Sequence, residues 1–186
     1  MTRFTVTDLP LPGLKLVGRQ RIGDARGFLS RLFCAEELAA AGWHKPIAQI
    51  NHTLTAKRGT VRGMHFQYPP HAEMKLVSCV RGEVWDVAVD VRLGSPTYLQ
   101  WQAESLSSLN GRALLIPEGF AHGFQAMTDD VELFYCHSAA YAATVDAGLN
   151  PQDALLNIAW PLPITEISAK DAGRPLIDSG FEGVRL

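Results

Sequence analysis

The stretch Thr60-Val61-Arg62-Gly63-Met64-His65-Phe66-Gln67 gathers an imidazole, a guanidinium and an amide into a short run of β-prone residues. Histidine is the side chain that gains and loses a proton nearest neutral pH, so one presented on a strand face can act as a general base. Taken alone, a strand histidine is more often a hydrogen-bonded interior residue. Lys57 lies upstream, Lys75 opens the next β-prone run, and Pro117-Glu118-Gly119-Phe120-Ala121-His122-Gly123 adds a second histidine in a glycine-rich turn. Each cation by itself is ordinary for a solvated surface. Binding one metal ion from a single strand calls for His-x-His, because residues i and i+2 share a face. The i+2 partner of His65 is Gln67, and no other histidine pair has that spacing. A metal centre is therefore not expected.

The elements that must position these groups read as strands. Val61, Met64 and Phe66 suit a pleated surface, and Gly63 lets another backbone come close. His65 then shares a face with Gly63 and Gln67, while Met64 and Phe66 face the other way. Further short runs at 14–17, 28–33, 47–54, 76–80, 84–91, 98–103, 113–116 and 131–135 are separated by glycine and polar turns, the pattern of an all-β sandwich or barrel. Residues 35–41 read as a short helix stopped by Gly42, and 151–156 as another within a loop. Arg81-Gly82 between 75–80 and 83–91 reads as the turn of a hairpin. In the latter run Val84, Asp86, Ala88 and Asp90 share one face, which either lines a wet cavity or is solvent-exposed.

A chain of 186 residues suffices for one domain and is short for two. We take 1–186 as one unit, with 1–13 an irregular or edge-strand lead-in and 178–186 a tail. The net charge of -2 carries no basic footprint for nucleic acid. No run of about 18 apolar residues could span a bilayer, and the N-terminus lacks a secretory core, so a cytoplasmic location is expected. Three cysteines without CxxC spacing point to free thiols.

Several motifs together resemble the dTDP-4-dehydrorhamnose 3,5-epimerase family. They are Gly23-Asp24-Ala25-Arg26-Gly27-Phe28, Arg62-Gly63-Met64-His65-Phe66-Gln67, Lys75-Leu76-Val77, Arg81 to Asp90, Gly94-Ser95-Pro96-Thr97, Ile116 to Phe124 and Ser168-Ala169-Lys170-Asp171. The resemblance covers about 14–177 and implies a cupin-type jelly roll with a few short peripheral helices, no metal or cofactor, and a homodimer acting on a nucleotide-linked 4-keto-6-deoxyhexose. By it, His65 is the base, Tyr135 the acid on the opposite face, and Lys75 the group that stabilises charge on the C4 oxygen. Asp171 orients His65, with Asp86 as second candidate. Arg26 and Arg62 meet the diphosphate, and Gln49, Asn51, His122 and Lys170 surround the substrate, together with Arg31, Tyr141 and Asp146. The early strand around Arg26 is expected to cross to the partner subunit. The chain departs from the family at 136–144 and around Gly148-Leu149, near where relatives hold the base and cover the sugar. A C3- or C5-only epimerase is thus an alternative, as is a non-catalytic sugar-nucleotide-binding protein.

Overall fold

The computed structural model describes residues 2–186. In chain order its elements are β1 (Phe4–Asp8), β2 (Lys15–Arg19), β3 (Arg21–Asp24), β4 (Gly27–Ser30), α1 (Ala35–Ala39), β5 (Gln49–Thr55), β6 (Val61–Gln67), β7 (Lys75–Arg81), β8 (Glu83–Asp90), β9 (Trp101–Ser107), β10 (Arg112–Ile116), β11 (Phe120–Ala126), β12 (Val131–His137), β13 (Asp146–Gly148) and α2 (Ala169–Ala172). One sheet has the order β1-β2-β10-β7-β12-β5 and the other β13-β6-β11-β8-β9. They stack as the expected β-sandwich, and β3 and β4 form a separate ribbon.

Alternation along the strands sorts apolar residues into three layers. Val77 and Cys79, Leu114 and Ile116, and Leu133 and Tyr135 of the first sheet meet Val84, Ala88, Leu106 and Phe124 of the second. Outside the second sheet, Met64, Phe66, Val87 and Val89 pack beneath Leu149, Leu156, Ile158 and Val184. Outside the first, Leu76, Leu115 and Cys136 pack against Leu38 of α1 and Trp43. Removing a leucine side chain from such a layer typically costs about 2–5 kcal/mol. The expected split of β6 holds, since Met64 and Phe66 lie in the outer layer and His65 turns inward to the cavity.

Several local readings are corrected. β7 and β8 do not form a hairpin: they belong to different sheets, β7 between β10 and β12, and β8 between β11 and β9. Both are buried on both faces, so each needs two ladder neighbours, and Gly82 at φ +73 turns the chain from one sheet to the other. The face bearing Asp86 and Asp90 is interior, with both carboxylates fully buried. His122 stands on strand β11 rather than in a turn. Gly123 is placed there by a close approach: a Cβ on Gly63 would lie 2.5 Å from the Gly123 Cα. Neither position has room for a side chain. Residues 151–156 form turns instead of a helix, with Asp153 accepting from the Leu155 N–H at 2.8 Å. The short helix falls later, at α2, where Ser168 caps it by accepting from the Asp171 N–H. The lead-in, by contrast, agrees with its edge-strand reading, since it contains β1 at the sheet edge paired with β2.

Candidate active site

The interior layer is apolar at one end of the sandwich and becomes polar at the other. On β12 the inward row runs Val131, Leu133, Tyr135, His137, and on β7 it runs Cys79, Val77, Lys75. These polar ends line a cavity of about 940 Å³ together with Asn51 and Thr53 of β5, Arg62 and His65 of β6, and His122 of β11. The segment 164–171 closes one side and contributes Lys170 and Asp171. Buried polar groups cost free energy unless they are paired, and most of those here are.

His65 Nε2 lies 2.6 Å from Asp171 Oδ1. The other carboxylate oxygen accepts from the Gly63 N–H at 3.3 Å, so the cap on α2 and the β6 backbone together fix the carboxylate. Burial opposes ionisation of Asp171, but the bonds from His65, Gly63 and Ser168 outweigh it and hold the carboxyl below its ordinary range. An ionised Asp171 can only accept, so Nε2 carries the proton and the lone pair is on Nδ1. That is the tautomer a base requires. Asp86, the second candidate for this role, instead lies 2.9 Å from His122 Nε2. Its other oxygen is buried without a partner, a condition that typically costs about 1–3 kcal/mol.

Tyr135 reaches the cavity from the opposite sheet, with Thr53 Oγ1 3.5 Å from its hydroxyl and the rings of His122 and His137 at 5.9 and 6.1 Å. Burial, with the negative charge of Asp86 adding to it, pushes its ionisation above the ordinary value of 10 against the opposing Thr53 hydroxyl and Arg62. It stands as a neutral phenol. Lys75 Nζ donates to the His65 carbonyl at 3.2 Å and pairs with Glu73 at 3.1 Å, which leaves one of its three protons for a ligand.

Of the residues expected at the site, His65, Lys75, Tyr135, Asp171, Asn51, Arg62, His122 and Lys170 come together around this cavity. Gln49 sits behind it, donating to Asn51 at 2.9 Å and accepting from the Tyr141 N–H at 3.0 Å. Tyr141 itself is exposed. Asp146 lines a separate depression on the other side of β6 and pairs with Lys170 and Arg174, each at 2.8 Å. Arg26 and Arg31 do not line the cavity of their own chain. Arg26 stands on the exposed β3–β4 ribbon paired with Asp24, and Arg31 pairs with Glu37. Among the described residues no group of three histidine, cysteine or carboxylate side chains converges as metal ligands would.

A family model for dTDP-4-dehydrorhamnose 3,5-epimerase matches residues 8–179. The chain belongs to this epimerase family. A dTDP-4-dehydrorhamnose 3,5-epimerase of Sinorhizobium fredii is 42% identical over 168 residues, covering 90% of this chain and 86% of the relative. A Streptomyces niveus protein named dTDP-4-dehydrorhamnose 3-epimerase is 37% identical over 164 residues, covering 88% and 79%. The crystal structure of dTDP-6-deoxy-D-glucose-3,5-epimerase from Legionella pneumophila, in complex with dTDP-4-keto-L-rhamnose, superposes with a TM-score of 0.91 at 34% identity and covers 98% of both chains.

Within this epimerase family framework, sequence reasoning passed over Glu73, His137, Thr53 and the segment 164–167. His137 had a signal, since inward alternation on β12 continues from Tyr135 to His137, whereas Glu73 lies in the loop before β7, where no strand period assigns it a face. Thr53 and the segment 164–167, whose one titratable residue Glu166 pairs with Lys57, carry no motif signal and are placed by tertiary packing.

Proposed function

We propose that the protein inverts ring carbons beside the C4 ketone of a dTDP-linked 4-keto-6-deoxyhexose, converting dTDP-4-dehydro-6-deoxy-D-glucose to dTDP-4-dehydro-L-rhamnose. One observation carries this reading: a carboxylate-oriented imidazole on one sheet faces a cavity shared with a neutral phenol on the other, with a buried ammonium beside them. In the proposed step His65 Nδ1 takes the proton from carbon α to the ketone, and the C–H electron pair moves into an enolate whose oxygen is stabilised by Lys75. Tyr135 then delivers its proton to the opposite face of that carbon. The imidazolium and phenolate so formed return to their starting states by exchange with solvent. Protons move and no net oxidation occurs, so the reaction needs no redox cofactor. Arg62 supplies a planar fork for the diphosphate.

Proton NMR of dTDP-4-dehydro-6-deoxyglucose with the enzyme in deuterated water tests the reading. Loss of both the C3 and C5 proton signals is expected. Loss of C3 alone would instead support a C3-only epimerase, a second reading favoured by the Streptomyces niveus relative and by the altered 136–144 stretch. Binding without exchange at either carbon would make the protein a sugar-nucleotide-binding module.

The same reading includes a homodimer. The β3–β4 ribbon exposes Phe28 and Leu29, at 61% and 72%, and the outer face of β5 exposes Ile50 and Leu54. A second copy covering these apolar groups would receive Arg26 in its cleft, which accounts for a phosphate-type arginine placed away from its own cavity. Light scattering should report a dimer, and Arg26→Ala should raise KM by roughly tenfold, the worth of about 1.4 kcal/mol, with kcat little changed. A fully active monomer would overturn this arrangement. Among the described residues no helix is long and apolar enough to cross a membrane, and three free thiols fit a reducing cytoplasmic setting.

A further inference from the structure

The loop before β7 is tied to the end of β12 by two hydrogen bonds, Met74 N–H to Ser138 Oγ at 2.8 Å and Ser138 N–H to the Met74 carbonyl at 3.1 Å. This pinning carries the Glu73 side chain between two cavity-lining groups. One carboxylate oxygen lies 3.1 Å from Lys75 Nζ and the other 2.9 Å from His137 Nδ1. His137 Nε2 lies 3.4 Å from Asn51 Nδ2, and the Tyr135 ring stacks on the His137 ring. All three side chains of the trio are at most 10% exposed.

We propose that Glu73 is a positioning residue for Lys75, anchored in turn by His137, so that the ammonium keeps both its charge and its aim at the C4 oxygen. The proposal rests on the epimerase reading above. A desolvated ammonium with no counter-ion gives up its proton more readily, and one with a loosely held counter-ion is drawn off line. Glu73 supplies the counter-ion, and His137 keeps that counter-ion from following Lys75 into the cavity. Burial opposes ionisation of Glu73, yet the His137 and Lys75 partners hold its carboxyl below the ordinary range, so the counter-ion persists through neutral pH. The other charged or titratable groups facing Lys75 do not replace it. His65 offers its carbonyl from β6, Arg62 on the same strand is a cation, and β10 places apolar Ile116 beside it. Tyr135 is a neutral phenol, and the carboxylates of Asp171 and Asp86 are engaged by His65 and His122.

The decisive variant is Glu73→Gln, which keeps the size and the hydrogen-bonding shape and removes the charge. Its kcat at neutral pH should fall by roughly tenfold with KM within about twofold, and the alkaline limb of kcat should move to lower pH by about one unit. Acetic anhydride labelling read by mass spectrometry should show Lys75 acylated at lower pH in Glu73→Gln than in the unaltered protein. His137→Leu should lower kcat by loosening Glu73, and His137→Gln, which can still donate to the carboxylate, should restore most of it. If a folded Glu73→Gln protein leaves either the labelling profile or the alkaline limb unmoved, the proposal fails. If the unaltered protein turns over no dTDP-4-keto sugar, the epimerase reading fails instead, while the labelling arm still decides whether Glu73 controls the charge of Lys75.

Discussion

His65→Ala should abolish measurable epimerisation, a loss of roughly 10³-fold or more, and Asp171→Asn should come close to it. The second result follows from geometry. Asp171 Oδ2 accepts from the Gly63 N–H, so in an asparagine the amide oxygen takes that place and the NH2 group is turned toward His65 Nε2. A donor there forces the imidazole into the tautomer with its proton on Nδ1, which removes the lone pair that must take the substrate proton. The packing of α2 on β6 is preserved, so thermal stability should fall by far less than the activity. Steady-state kinetics beside a thermal melt checks both statements. An Asp171→Asn enzyme that keeps more than about a tenth of its activity would show that the orientation of His65 does not depend on this carboxylate.

Tyr135→Phe should separate two events that the unaltered enzyme performs together. With His65 intact, abstraction still occurs and deuterium still enters from the same face, so exchange in deuterated water should persist within about tenfold. Inversion, which needs a proton from the opposite sheet, should fall by roughly 10²-fold or more. Because burial holds Tyr135 ionisation above its ordinary value of 10, the phenolate does not form by titration in the working range. In the proposed step it forms only by giving its proton to the substrate. The hydroxyl makes one long bond, to Thr53 at 3.5 Å, so its removal should change stability by no more than about 1 kcal/mol. Loss of exchange and inversion in equal measure would assign Tyr135 to abstraction and refute its role as the opposing acid.

The two faces of β6 were legible around His65, since Met64 and Phe66 belong to the outer layer and His65 to the inner one. Arg62, which alternation alone would put with Met64, also lines the cavity because the β6–β11 register shifts between His122 and Phe124. The convergence of His65, Lys75 and Tyr135 came from family motifs, since periodicity states which face a residue takes but not which strand lies opposite. The same gap explains the misreading of Gly82. A glycine turn between two β-prone runs is compatible with a hairpin or with a corner between sheets, and only the two-sided burial of β7 and β8 separates them. β11 was hidden by Gly123, whose absent side chain reads locally as a turn although it serves the contact with Gly63. The family motif alone puts Asp171 ahead of Asp86, because residue types and spacing do not tell which histidine each carboxylate meets; the folded chain pairs Asp171 with His65 and Asp86 with His122.

The corner at Gly82 has a consequence for assembly. Since adjacent stretches of chain are dealt to opposite sheets, neither sheet is a contiguous piece of sequence, and the proposed base His65 and proposed acid Tyr135 belong to different ones. No local hairpin holds half of the chemistry. The cleft arises only when distant segments have met and the entropy of closing long loops has been overcome, so catalytic competence is a property of the completed topology and not of any fragment that folds early.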